Sequence, residues 1–245
     1  QKALQKRGVE INLNTRVDGA EARGDGVVVK VTTNDQTREV EGDLLLMAAG
    51  NVGNTENLGL EALGIEIGRG NVIGVNDYLQ TNVPNIYAIG DVVKGPRLAH
   101  KAMHEGVIAV EHIAGLNPAP MHWDNIPSCT YSHPEVASIG LSEAKAREAV
   151  AEVKVSKFPF SASGRARALG DTEGYVKIVA DAKYGEILGV HMVGPEVTEM
   201  IHELALARTN ELTVEEIIHT IHAHPTLSEV IHEASLGIVG APLHT

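Results

Sequence analysis

The chain has 245 residues, which is enough for one or two domains with a sizeable core. A hydrophobic share of 43% with 21% charged residues is ordinary for a globular protein, and the 3% aromatic share leaves the core to Val, Ile, Leu and Ala. A net charge of −12 argues against nucleic acid and anionic membrane as partners, and no apolar run is long enough to span a bilayer.

The first seven residues, Gln1 to Arg7, are polar and helical in character, so they do not read as a signal peptide. They lack an initiator Met and read as the tail of a helix, which suggests a fragment or a processed chain. That helix ends at Gly8, and Val9-Glu10-Ile11-Asn12-Leu13 then alternates apolar and polar residues as a half-buried strand does. Residues 26–31 predict a second strand, closed by a turn at Asn34-Asp35. The uniformly apolar run 44–50 predicts a strand buried on both faces of a parallel sheet. The opening therefore reads as the back of a doubly wound unit, yet it holds no Gly-x-Gly-x-x-Gly fingerprint after a strand.

A loop follows at 51–56, then a short helix over 58–63 and a polar connection over 76–81. Residues 83–91 predict a buried strand that ends in Gly90-Asp91. Apolar residues at Ala102, Met103, Val107, Val110 and Ile113 predict a helix over 99–114, stopped by Gly115-Leu116-Asn117-Pro118. Pro118-Ala119-Pro120 reads as a linker, with a domain boundary near residue 122. Beyond it come a strand at 135–139, a helix capped by Ser142, a strand at 153–160 and a hairpin of 174–179 with 187–193. Helices are predicted over 195–208, 213–221 and 225–236. The fold class is thus α/β plus α+β.

The single cysteine, Cys129, excludes an internal disulfide and points to a reducing compartment, the cytoplasm. It reads as a buried structural thiol. The stretch His222-Ala223-His224-Pro225-Thr226-Leu227-Ser228-Glu229 puts an imidazole, a proline and a carboxylate at the expected start of a helix, with Pro225 at its first position. Glu229, about one turn in, can fold back onto one ring nitrogen of His224, fix the tautomer and stabilise the imidazolium. A base held by a carboxylate is the arrangement of a general acid–base catalyst, and the same residues also read as a helix cap with a surface ion pair. Asp91, at the carboxyl end of a predicted strand, is placed to accept hydrogen bonds from sugar or polyol hydroxyls, or to cap the next turn. The amides that open the helix at 99 can donate to an anion or an electron-rich ring. His219, His222 and His224 invite a metal reading, but no Cys or carboxylate cluster completes a tetrahedral frame, so no metal is expected.

Three segments carry a resemblance. Thr81-x4-Ile86-Tyr87-Ala88-Ile89-Gly90-Asp91 with Leu98-Ala99-His100-Lys101-Ala102 and Glu105-Gly106 resembles the second flavin-binding stretch of the disulfide oxidoreductases. Ser132-His133-Pro134-Glu135-Val136-Ala137, after Pro127-Ser128, resembles the entry to their dimerisation domain, and 222–229 resembles their active-site histidine motif. Within that family the segments are most similar to the dihydrolipoyl dehydrogenase branch, ahead of the mercuric and glutathione reductases.

The resemblance implies FAD and NAD as cofactors and oxidation of dihydrolipoamide, free or on a lipoyl domain. Asp91 would bind the ribityl chain, and the backbone at Leu98, Ala99 and His100 would meet the flavin. His224, oriented by Glu229, would take the thiol proton and act on the partner subunit's disulfide in a homodimer. Service to a 2-oxoacid dehydrogenase or glycine cleavage complex would follow, with neither nucleic acid nor membrane as partner. The implied domains are 1–49 as the end of the nicotinamide domain, 50–122 as the second part of the FAD-binding domain, and 123–245 as the dimerisation domain. The family's first flavin fingerprint, Cys-x4-Cys pair and nicotinamide loop do not occur, and Asn51 stands where the family has Arg. The chain is therefore expected to be the C-terminal half of such an enzyme, inactive alone and weak in holding FAD. A non-catalytic dimerisation module is the reading from another class.

Overall fold

A computed structural model describes residues 1–244. It divides into two compact units, Gln1–Asn51 and Val52–Thr245.

The first unit begins with a helical turn, α1 (Lys2–Lys6), and continues as an antiparallel meander of β1 (Thr15–Arg23), β2 (Gly26–Thr33) and β3 (Gln36–Gly42) in the order β1-β2-β3. Asn34 and Asp35 both have positive φ and form a two-residue hairpin loop between β2 and β3, a conformation that Asn and Asp tolerate. Central β2 buries Val28 and Val31. Two expectations fail here. Residues 9–13 lie outside any strand, and the ladder starts at Thr15 instead. Residues 44–50 are also irregular, with Leu44 93% and Leu46 86% exposed, because no strand among the described residues pairs with them.

The second unit opens on loops, a 3-10 turn at Glu61–Leu63 and a small ladder of β4 (Ile67–Gly68) and β5 (Val72–Ile73). The predicted strand at 83–91 is absent. Among the described residues its strand pairing is one isolated bridge between Gln80 and Tyr87, and the segment ends in a 3-10 turn, Gly90–Val92. The 15-residue helix α2 (Ala99–Ile113) follows and ends before Gly115, whose φ of 77° suits the left-handed position after a helix.

The remainder is built on one antiparallel sheet. β6 (Ser128–Thr130), β7 (Glu135–Gly140), β8 (Val153–Pro159), β9 (Tyr175–Asp181) and β10 (Ile187–Gly194) stand in the order β6-β7-β10-β9-β8. Helices α3 (Glu143–Ala149) and α4 (Gly164–Leu169) lie between strands, while α5 (Val197–Thr209), α6 (Val214–His219) and α7 (Glu229–Val239) follow the last one. The period-2 pattern decides the two faces of the sheet. Val176 and Ile178 on β9 and Val190 and Met192 on β10 pack with Ile201 and Leu204 of α5 and Ile231 and Ala234 of α7. Val179 and Leu188 pack on the other face with Ala146 of α3. Burying each of these larger side chains contributes about 1.5–3 kcal/mol before chain entropy is charged against it.

Local signals fix the ends. Ser142 Oγ accepts the Lys145 N–H at the start of α3, as its position predicts. Thr213 and Glu216 form a reciprocal capping box on α6, with the Thr213 N–H and hydroxyl both donating to Glu216 Oε2 at 2.7 Å. Across the α3 face, Glu143 accepts from Lys177 at 2.7 Å and from Arg147 at 2.8 Å, and these bonds hold its carboxyl down to about 2 from an ordinary 4.5. A depressed carboxylate stabilises the fold above its unfolded value and loses that contribution as pH falls through its folded one. Glu143→Gln is therefore expected to flatten the decline in stability between pH 4.5 and about 2, measured by urea unfolding at a series of pH values.

Candidate functional site

His224 lies in the loop between α6 and α7. Helix α7 begins at Glu229, not at Pro225, which sits in that loop behind a cis His224–Pro225 peptide. Hydrogen bonds explain the later start. The Thr226 N–H donates to Glu229 Oε2 at 2.8 Å and the Thr226 hydroxyl donates to Ala223 O at 2.7 Å, so the loop closes on itself before the helix turns. The carboxylate thus stands in the first turn of the helix, where the helix dipole favours it.

The other oxygen, Glu229 Oε1, stands 2.9 Å from His224 Nδ1. A carboxylate only accepts, so Nδ1 carries the proton and Nε2 is left as the basic nitrogen. The imidazole is 79% exposed, whereas Glu229 is two-thirds covered. Burial, the largest influence on Glu229, raises its pKa, but the Thr226 N–H and the His224 ring outweigh it and hold the carboxyl below its usual range. His224 and Glu229 line a cavity of about 650 Å³ with Phe158, Arg167, Val230 and His244. The arrangement has a fixed anion, an oriented imidazole and a free nitrogen that opens on space.

Two long-range contacts around this loop escape sequence reading. His222, whose ring is nearly buried, donates from Nδ1 to Thr220 O and pairs through Nε2 with Glu203 Oε1, both at 2.9 Å, which ties the loop to α5. One turn along α7, Glu233 accepts the backbone N–H of Leu243 at 2.7 Å and pairs with His244 Nδ1 at 2.7 Å, so the end of the chain returns to the same cavity. The i, i+4 spacing of Glu229 and Glu233 was the available signal. Nothing in the sequence indicates that residues 243–244 reach them.

The flavin-like stretch lies elsewhere in the unit. Asp91 is exposed in the middle of the 3-10 turn Gly90–Val92, and its carbonyl accepts from Arg97 Nε at 3.2 Å. Leu98 is the N-cap of α2 and supplies no side-chain cap, so the first amides of the helix, at Ala99 and His100, have no capping partner there. The His100 ring is committed to Pro127, whose carbonyl accepts from Nε2 at 2.8 Å. An exposed carboxylate suited to hydroxyls and an uncapped helix start suited to an electron-rich ring fit part of a flavin site. Cys129 is partly buried, and burial, then Glu135 and Glu199, push its thiol pKa up, which disfavours the thiolate. No helix among the described residues is long and apolar enough to cross a membrane.

Two family models match the chain. Residues 1–106 match the pyridine nucleotide-disulphide oxidoreductase model, and 126–235 match the dimerisation domain of the same proteins. The chain belongs to the pyridine nucleotide-disulphide oxidoreductases. A dihydrolipoyl dehydrogenase of Rhizobium etli is 48% identical over 100% of this chain and 51% of its own length. One from Geobacillus stearothermophilus is 45% identical over 100% and 52%, and a mitochondrial one from Canis lupus familiaris is 46% identical over 96% and 47%. The chain thus spans about half the length of the curated relatives it matches. Among solved structures, LpdA of Mycobacterium tuberculosis superposes with a TM-score of 0.86 at 32% identity, over 96% of this chain and 50% of that one. The HOCl-induced flavoprotein disulfide reductase RclA of Escherichia coli gives 0.83 at 27%, over 96% and 53%. The mixed α/β architecture is that of the family's cofactor-binding and dimerisation domains.

Proposed function

We propose that this chain forms part of a dihydrolipoyl dehydrogenase, in which His224 and Glu229 are the acid–base pair for thiol oxidation. The observation that carries the reading is the 2.9 Å bond from His224 Nδ1 to Glu229 Oε1 beside an open cavity, in a chain 48% identical to a dihydrolipoyl dehydrogenase along its whole length. His224 Nε2 takes the proton of a dihydrolipoamide thiol, and the resulting thiolate attacks a disulfide. Glu229 keeps Nδ1 protonated and stabilises the imidazolium. That disulfide is not of this chain, which has one cysteine, so it stands on the rest of the enzyme, across a homodimer formed by residues 123–245. Bound FAD supplies the two-electron relay between the disulfide and NAD. Asp91 would hold it by the ribityl hydroxyls, and the backbone at Leu98, Ala99 and His100 would face the ring.

On this reading residues 1–49 end the nicotinamide domain and 50–122 complete the FAD-binding domain. The substrate is dihydrolipoamide, free or on a lipoyl domain of a 2-oxoacid dehydrogenase or glycine cleavage complex, and the single thiol suits a cytoplasmic setting. The purified chain alone is expected to give no NADH from dihydrolipoamide and NAD, and to give it when joined to the other half of a dihydrolipoyl dehydrogenase. NADH from the chain alone would overturn this account. Reduction of glutathione disulfide or mercuric ion in preference to lipoamide by the joined enzyme would reassign the substrate.

A further inference from the structure

A buried ion pair in α2 grips Gly90, the residue before Asp91. Lys101 and Glu105 are one helical turn apart, and both side chains are wholly buried, with Nζ 3.0 Å from Oε1. Each also holds one polar group of the same glycine. The Gly90 N–H donates to Glu105 Oε2 at 2.7 Å, and Lys101 Nζ donates to the Gly90 carbonyl at 2.9 Å. Glu105 Oε1 lies close to the ammonium without hydrogen-bond geometry to any donor among the described residues, so charge alone holds it. Gly90 has a φ of +79°, a left-handed conformation that a side chain rarely adopts.

Such a pair is an expensive way to gain stability. Desolvating two charges offsets most of their attraction, and apolar residues of similar volume do as well or better. What the pair supplies is geometry, because the peptides on both sides of Gly90 are fixed in direction and the turn that presents Asp91 cannot rotate. The clamp is carried by α2, whose uncapped start at Leu98 lies two residues before His100. One rigid helix therefore sets both the Asp91 turn and the amides at its own start.

We propose that Lys101 and Glu105 are positioning residues for the flavin, acting through the Gly90 peptides to aim Asp91 at the ribityl hydroxyls. The inference rests on the reading of Asp91 as a flavin ligand, and the test separates the two. FAD affinity is measured in the complete flavoprotein by fluorescence titration of the apoprotein, for wild type, Asp91→Asn, Lys101→Met/Glu105→Leu and the triple variant, with thermal unfolding followed alongside. Asp91→Asn and the double variant are each expected to weaken FAD about tenfold, the scale of losing a hydrogen bond to a charged group. The triple variant is expected to fall within about twofold of the weaker of them, since both act on one contact. Lys101→Met/Glu105→Gln, which keeps an acceptor for the Gly90 N–H, should lie between the double variant and wild type, and it carries the same cycle if the leucine variant does not fold. Losses that multiply, or a clamp variant with wild-type affinity while Asp91→Asn binds weakly, would overturn the clamp and leave Asp91 as a ligand. Unchanged affinity in all the variants would overturn both.

Discussion

Replacing His224 with glutamine is expected to lower dihydrolipoamide oxidation by the complete flavoprotein about 10²–10⁴-fold, the usual worth of a positioned acid–base group. The fold should not suffer, because the ring is 79% exposed and, among the described residues, its hydrogen-bond partner is Glu229. Unfolding midpoints measured in parallel should agree with wild type, which separates chemistry from folding. Glu229→Gln should give a smaller loss with a shifted pH profile, since the amide still reaches the loop but brings no charge. Acid acts in the same direction. The Glu229 carboxyl is held below its ordinary range, so its support of the loop is complete above that range and fades as pH falls through the lowered folded value.

Gly174→Ala is expected to cost more than about 3 kcal/mol and to show as a collapsed urea midpoint, through backbone strain and overlap together. Gly174 has a φ of +102°, and a Cβ built there runs into the Val193 carbonyl. Its neighbour Tyr175 opens β9, in register with Val193 on β10. Moving Val193 to relieve the clash would disturb the central pairing of the sheet, including Val176 with Met192 and Ile178 with Val190, all four fully buried in the main core. A control at exposed Gly8, also at positive φ but with nothing near its absent Cβ, should cost far less.

Much of the fold was legible because short-range signals decide it. The hairpin of β9 and β10, the capped start of α3 and the extent of α2 all follow from period, turn residues and caps that a single segment carries. Pairing partners are not so carried. Residues 44–50 and 83–91 have the composition of buried strands, but a strand exists only where another offers hydrogen bonds, and the described residues offer none to the first and a single bridge to the second. The reverse holds for Thr15–Arg23, which is almost wholly exposed and shows no apolar alternation, yet is a strand because β2 pairs with it. Within the site, the His224–Glu229 contact was readable from spacing, although the helix starts four residues later than Pro225 suggests. The long-range contacts were not. Glu233 with His244, His222 with Glu203 and His100 with Pro127 join residues that only the fold brings together.

The most direct test divides the reaction in two. Oxidised flavoprotein is mixed rapidly with dihydrolipoamide, and separately with NADH, and flavin absorbance is followed in wild type and His224→Gln. If His224 takes the thiol proton, the dihydrolipoamide half slows about 10²–10⁴-fold while the NADH half keeps its wild-type rate. A variant in which the dihydrolipoamide half is unchanged, or in which both halves slow together, would contradict the assignment of His224 as the acid–base residue.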